Sequence, residues 1–491
     1  MEQGPDRATA PSTGHSTERG SGRGTEAGTK AATEVGAEWV SDGVEEALAL
    51  VNGPARPEPA PAVAPTLDTD PAPDPDAARE PGRRAGRQRV TAWAAARELA
   101  ARTGRTGSPR TGRVPLERSL GRVLAAPLTA LCDLPSFDTS AMDGWAVAGP
   151  GPWRVDDGSI LAGLGTLPPL EDGTAVRIAT GARTPPGATA VMRAEYARLS
   201  PERRLLHAVR APHPGEDIRP RGQECRVGDH LLPARSLVTP AVLGLAAAAG
   251  YDELLVAERP RVEVLVLGDE LLSDGLPHEG LIRDALGPMI SPWLSSLGAD
   301  VIGTRRLGDD ADAVHRAVTT SDADLVLTTG GTAAGPVDHV HPVLRKVGAE
   351  LLVDGVAVRP GHPMLLAALP TEGDLPVRHL VGLPGNPLAA VSGLLTLAEP
   401  LLRGLTGLRA PLGYRVPVRD EVTGHPHDTR LVPFVYRDER LVPLRYSGPA
   451  MLRGIAAADG LAVVPPGGAR PGDGLEVLDL PWAPGTPSGA T

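Results

Sequence analysis

The sequence predicts a multidomain chain of mixed α/β and β architecture, and three observations lead there. At 491 residues the chain exceeds what one hydrophobic core supports, and the usual domain size suggests about three or four units. Between residues 260 and 408 buried strand-like runs alternate with helical ones, which is the pattern of a doubly wound, mostly parallel sheet. Before and after that stretch, short strand-like runs are separated by Gly and Pro turns. Hydrophobic residues make up 41% of the chain but aromatics only 3%, so its interior must be built from Ala, Val and Leu.

Residues 1–86 are rich in Gly, Pro, Ala, Thr, Asp and Glu. They offer too little apolar surface to offset chain entropy, so a disordered tail is expected there. Within it, SDGVEEALALV at 41–51 reads either as a transient amphipathic turn or as a docking helix. Residues 87–259 should form two interleaved N-terminal domains, I and II. They open on an Ala-rich helix over 88–103, pass through an irregular β-rich region, and close on a helix through PAVLGLAAAAG.

Residues 260–408 form the α/β domain III. RVEVLVL and DLVLTT are buried strands, SPWLSSLGA ends a helix, ADAVHRAV is helical, and HLVGL precedes a long helix from Pro387. From 409 to 483, YRVPVRDEV, RLVPFVYR, LAVVPP and LEVLDL predict a small β-barrel, domain IV, with 484–491 disordered.

Charge and cysteine content exclude several classes. The tail holds 8 basic and 15 acidic side chains, a net of −7 out of −11 for the whole chain. The remainder is near neutral and has no basic stripe to neutralise a phosphate backbone, so no nucleic-acid partner is expected. Two cysteines without CxxC spacing fit a reducing cytoplasm. There is no apolar signal core, and no run approaches the length that spans a bilayer, so no membrane association is expected.

Ligands of open α/β sheets bind beyond the carboxyl ends of the strands, and four polar or Gly-rich loops occupy or border such positions. Gly268, Asp269 and Glu270 follow the first strand, and Gly308, Asp309 and Asp310 precede a helix. Gly330 and Gly331 follow DLVLTT, while Pro384, Gly385 and Asn386 follow the last strand. Asp269 and Glu270 are either an ordinary turn or a pair of carboxylates for Mg²⁺, and Asp310 is open to a helix-cap or a ligand role. Asn386-Pro387 is a strong helix start whose free amides suit an anion. Arg359 and His362, in RPGHP, add cationic or titratable groups. In the N-terminal region, LPSFDTSAMDGWAV at 134–147 sets Asp138, Thr139, Ser140 and Asp143 among Phe137, Met142 and Trp145, and TGARTPPGA adds Thr180.

Taken in order, LPSFDTSAMDGWAV, AVRIATGARTPPGATAVMRAE, LVLGDELL, GLIRD, LVLTTGGTAAGPVD, RPGHP and LPGNPLAAV resemble the molybdopterin molybdotransferase family, whose animal relative is the gephyrin E domain. The likeness runs from about residue 88 to 480. It implies interleaved N-terminal domains, a central domain similar to the molybdopterin adenylyltransferases, and a C-terminal β-barrel. The implied partners are a second copy of the chain, in a homodimer with a composite active site, and a molybdopterin adenylyltransferase as a further candidate. The implied reaction takes adenylylated molybdopterin and molybdate as substrates, needs Mg²⁺, inserts the metal at the dithiolene and releases AMP.

The resemblance assigns Asp143, Thr180, Glu270, Asp310 and Asp338 to catalysis. Asp269, Glu270, Asp310 and Asp338 are the implied metal ligands, and Ser140, Gly330, Gly331, Arg359, His362, Pro384, Gly385 and Asn386 would hold substrate. Three departures stand out. Ala333 and Pro336 replace a hydroxyl and a carboxylate of the family's GGVSVGDxD loop, Arg359 and His362 replace two lysines, and Ala285 and Leu286 follow GLIRD in place of the usual Asn. An active molybdotransferase and a catalytically weakened paralogue that binds molybdopterin or scaffolds partners are the two readings these residues support.

Overall fold

The computed structural model describes residues 90–482 apart from 108, 164–167, 201, 334–337, 372, 374 and 409–412. The expected tail, its 41–51 segment, Pro336 and residues 484–491 lie outside the described residues.

Six strands make the central sheet: β1 (Arg261–Leu267), β2 (Asp300–Leu307), β3 (Leu325–Thr329), β4 (Glu350–Asp354), β5 (Leu365–Leu369) and β6 (Arg378–Leu383). Their spatial order is β2-β1-β3-β6-β5-β4. The first four run parallel, and β5 and β4 add an antiparallel edge, so the mostly parallel sheet is present. The helices are α1 (Leu286–Ser296), α2 (Ala311–Thr320), α3 (Val340–Val347) and α4 (Pro387–Gly393), which runs through a π turn at Leu394–Ala398 into α5 (Glu399–Thr406).

Because side chains alternate along a strand, one sheet face sends Leu265, Val326 and Leu380 against Val314 and Val318 of α2 and Val343 and Leu344 of α3. Ile290, Trp293 and Leu294 of α1 are buried outside that cluster, against β1 and β2. Parallel strands covered on both faces read as unbroken apolar runs, which is why RVEVLVL and DLVLTT were recognisable.

The helix from Pro387 corrects one expectation. Pro387–Thr406 is 20 residues long with a mean hydropathy of 1.3, long and apolar enough to cross a bilayer. Its apolar window is 89% buried inside the fold, the mark of a core helix rather than a membrane span. The N-terminal helix Trp93–Gly104 packs on it: Trp93 Nε1 donates to Thr396 Oγ1 at 3.1 Å, and the Arg97 guanidinium donates to the Leu395 carbonyl in the π turn. That helix begins five residues later than expected, because Thr91–Ala92 is extended and pairs in parallel with Val356–Ala357.

The N-terminal lobes interleave. Thr111–Pro115 pairs with Glu253–Ala257 and Leu128–Thr129 with His230–Leu232, building one unit from two distant stretches around Leu124, Val238 and Leu254. Between those stretches, residues 144–208 fold as a separate six-stranded sheet over Val147, Trp153 and Leu206. At the C-terminal end, Arg415–Pro417, Thr429–Arg437, Arg440–Pro443, Gly460–Val464 and Gly474–Asp479 wrap around Val432, Phe434 and Leu475. A bridge between Val418 and Leu441 closes this ring into the expected small barrel.

Close helix packing here depends on glycine. A Cβ at Gly404 would stand 2.7 Å from the Ala101 carbonyl oxygen, and one at Gly104 would stand 2.3 Å from that of Leu401. Gly404→Ala should therefore push the two helices apart and lower the unfolding free energy by about 1–3 kcal/mol, read as a drop in the urea midpoint at unchanged slope. A midpoint equal to that of the parent chain would show that the contact carries no weight.

Candidate functional site

The four parallel strands end on one edge of the central sheet, and their loops meet over a cleft of about 470 Å³. Gly268 and Glu270 enter it from β1, Asp309 from β2, Gly330, Gly331 and Asp338 from the loop after β3, and Gly385 and Asn386 from the loop after β6. Gly330 has φ +83°, a conformation that L side chains avoid. Its amide donates to Leu383 O at 2.8 Å, and a Cβ on Gly385 would be 3.7 Å from its Cα. The loops after β3 and β6 thus touch through backbone alone, which keeps the wall of the cleft thin.

The GDELL and GLIRD stretches hold each other. Leu271–Leu272 pairs in parallel with Ile282–Arg283, and the Ile282 amide donates to Glu270 O at 2.8 Å. This pairing brings Arg283, an exposed cation, to the same cleft as Glu270. Beneath it, Asp284 is only 4% exposed. Its carboxylate accepts the Leu286 and Gly287 amides at 2.9 Å each and pairs with Arg306 at 2.6 Å, capping α1 and tying it to β2.

Asp269 is exposed and lies against Gly308, where a Cβ would meet its Oδ1 at 2.3 Å, and it does not line the cleft. Asp310 is the N-cap of α2, accepting the Asp312 amide at 2.9 Å; its neighbour Asp309 lines the cleft instead. A hydrogen bond from Lys346 holds the Asp312 carboxyl below the usual carboxylate range. Asp338 accepts the Ala333 amide at 3.2 Å. Pro384 is buried behind the loop as a support.

Two of the expected substrate-binding residues lie apart from this cleft. Arg359 donates from Nε to Asp428 of the barrel at 2.9 Å, and His362 Nδ1 lies 2.9 Å from Val356 O, so neither side chain lines the cleft. The cause is the strand Val356–Arg359, which leaves the central sheet to pair with Thr429–Arg430 of the barrel. The start of α4 is not free for an anion either. Pro387 has no N–H, and the Leu388 and Ala389 amides both donate to Pro449 O, at 2.9 and 3.2 Å. The Asn386 side chain makes no cap bond and remains exposed at the cleft.

Asp143 and Thr180 form a second, separate cluster. Asp143 Oδ1 accepts the Thr180 amide at 2.8 Å, where the strand Gly144–Val147 starts and Thr174–Ile178 ends. Ser140 is fully buried, and its hydroxyl donates to Met142 O at 2.5 Å, so it shapes the turn under Asp143. None of these three lines the cleft of the same chain. Among the described residues, no three His, Cys, Asp or Glu side chains converge as a ready-made metal site.

Arg283, Asp284 and Asp309 are the residues of the cleft that motif reading passed over as site residues. Each carries a signal: Arg283 and Asp284 belong to the GLIRD stretch, and Asp309 adjoins Asp310.

Three family models match the chain in order: "MoeA N-terminal region (domain I and II)" over 90–250, "Probable molybdopterin binding domain" over 263–404, and "MoeA C-terminal region (domain IV)" over 415–480. A protein of Mycobacterium tuberculosis named molybdopterin molybdenumtransferase 2 is 34% identical over 382 residues, covering 72% of this chain and 90% of the relative. A molybdopterin molybdenumtransferase of Nostoc sp. is 30% identical over 393 residues, covering 75% of this chain and 88% of the relative. A crystal structure of a molybdopterin biosynthesis MoeA protein from Pyrococcus horikoshii superposes with a TM-score of 0.65 at 25% identity, covering 80% of this chain and 99% of that one.

Asp284→Ala should cost about 2–4 kcal/mol of stability, since it leaves two helix amides and Arg306 without their acceptor. Asp284→Asn keeps the caps and should lose about half as much. Urea unfolding of both variants measures this, and equal losses would rule out the separate cap contribution.

Proposed function

Because the chain belongs to the molybdopterin molybdenumtransferase (MoeA) family, we propose that it inserts molybdate into adenylylated molybdopterin and releases AMP, in molybdenum cofactor biosynthesis. The observation that carries this reading is the convergence of four strand-end loops on one cleft that offers backbone amides, carboxylates and a cation together. A substrate with a phosphoanhydride and a polar bicyclic ring needs that combination.

The residues at the cleft fit Mg²⁺. This ion keeps several waters and takes one or two carboxylates together with substrate phosphates, rather than a full protein cage, and Glu270, Asp309 and Asp338 provide such carboxylates. When bound, the ion would offset charge on the phosphoanhydride oxygens. The protein's own groups do the rest of the positioning. Arg283 attracts the anionic substrate, the flat Gly330-Gly331 and Gly385 backbone admits it closely, and the Asn386 amide side chain offers both a donor and an acceptor.

The Asp143–Thr180 cluster completes the site in this reading from the neighbouring subunit of a homodimer. Two facts support it: the pair is exposed and preorganised by a hydrogen bond, and it lines no part of the cleft in its own chain. A cytoplasmic location, and delivery of the adenylylated substrate by an adenylyltransferase partner, belong to the same proposal.

Expression in a molybdotransferase-deficient bacterium should restore nitrate reductase activity. Failure by folded, dimeric protein would leave the binding or scaffold role as the surviving reading. Asp143→Ala and Glu270→Ala should each lower restoration by about 100-fold or more. Co-expressing the two variants should return about a quarter of the parent activity, because half the dimers then carry one intact composite site. No gain over the single variants would place both residues in one subunit's site.

A further inference from the structure

A second cavity, of about 500 Å³, lies at the amino edge of the central sheet, away from the cleft. Arg261 and Asp300, the first residues of β1 and β2, supply part of its wall. Gly112, Arg113 and Val256 supply another part from the paired strands Thr111–Pro115 and Glu253–Ala257. Arg110, Arg122, Glu258 and Arg259 complete it, so five arginines meet two carboxylates around one hollow.

Two of the five cations are already held. Arg110 pairs with Asp324 at 2.7 Å and with Glu258 at 3.4 Å, and Arg261 pairs with Asp322 at 2.8 Å. Among the described residues, Arg113, Arg122 and Arg259 form no ion pair, and of the wall's carboxylates only Asp300 is likewise unpaired. Arg113 is exposed and the other two are half-buried, so a molecule in the cavity can reach all three side chains. Burial, and after it repulsion from Arg259, draws the Arg122 guanidinium below its usual range; that repulsion outweighs the pull of Asp300 or of Glu258 taken singly. Like charges gathered in a hollow concentrate a positive field, which an anion would relieve.

The wall restricts that anion. Three unpaired guanidinium groups against one unpaired carboxylate favour an ion with at least two negative charges, and they repel a cation. Guanidinium forks match pairs of phosphate oxygens, and three of them can engage more than one phosphate. The cavity has room for a chain of phosphates. Gly112 also leaves it open, since a Cβ there would meet only Glu258 Oε1, at 3.6 Å. We propose that this cavity binds a di- or triphosphate group, free or carried by a nucleotide, across Arg113, Arg122 and Arg259.

Calorimetric titration of the full chain with pyrophosphate, tripolyphosphate and ATP tests this, with succinate as a dicarboxylate control. Tripolyphosphate should bind with a Kd below about 100 μM in about 0.1 M salt, and more tightly than succinate by about tenfold or more. ATP binding as tightly as tripolyphosphate would locate recognition in the phosphate chain, and tighter binding would add the nucleoside; both support the site. Arg113→Gln and Arg122→Gln should each weaken tripolyphosphate by about tenfold. Gly112→Glu should weaken it at least as much, because it adds a carboxylate to the wall where a Cβ makes only ordinary contact. Arg198→Gln, which removes an exposed and unpaired arginine elsewhere on the surface, should change the affinity less than twofold. Circular dichroism and thermal midpoints check that the variants fold.

No saturable binding, or succinate binding as tight as that of pyrophosphate, overturns the proposal. So does an equal loss in Arg198→Gln, which would reduce the effect to net charge. Binding that survives the three cavity variants but is lost in Arg283→Gln would move the phosphates to the catalytic cleft and overturn it too. Nitrate reductase restoration does not enter these readouts, so the proposed transfer reaction stands or falls separately.

Discussion

The parallel register of β2, β1, β3 and β6 is the constraint from which the rest follows. Four strands pointing the same way must release four chain segments at one edge, and each must turn sharply there to reach a helix on one face or the other. Gly268 at φ +136° and Gly330 at φ +83° supply the turns, and the Gly330 amide bonded to Leu383 O holds neighbouring loops together. Polar groups such as Glu270 and Asp309 stand on these turns, beyond the ends of β1 and β2. The cleft is therefore a consequence of the sheet, and its chemistry is limited to what the loop sequences place on the turns.

How much of this was legible in the sequence depended on burial. β1, β3 and β6 are interior strands, and their apolar runs identified them. β2 is an edge strand, DVIGTRRL, with a glycine, a threonine and two arginines, and most of its side chains are exposed; it has no periodicity that composition could reveal. β4 and β5 form the antiparallel edge and went unrecognised, for they pair at the far side of the sheet through contacts that local sequence does not encode. The barrel strands were visible, but the pairing of Val356–Arg359 with Thr429–Arg430 was not. That pairing removed Arg359 and His362 from the cleft.

The loops that the motifs single out meet at one cleft, and within each loop only some of the polar side chains line it. In each polar doublet, the residue that lines the cleft is set by backbone direction at the strand end. Glu270 rather than Asp269, and Asp309 rather than Asp310, line it; Asp269 lies beside Gly308, and Asp310 caps α2. Asp284 shows the opposite case. Its carboxylate is consumed by α1 and Arg306, while Arg283, the preceding residue, sits exposed at the cleft.

The barrel, finally, is part of the cleft rather than an appendage. A proline at the first turn of α4 leaves two amides for an anion, yet the carbonyl of Pro449 takes both, and Ala450 beside it lines the cleft. Any ligand group that reached the start of α4 would have to displace a backbone carbonyl from two good hydrogen bonds, an exchange with little net gain for a neutral group. The Gly330 amide is likewise committed, to Leu383 O, so Arg283 is the cation that the cleft offers an anion. Pro449 O thus anchors the start of α4, which runs through the π turn into α5, and the N-terminal helix docks on that turn.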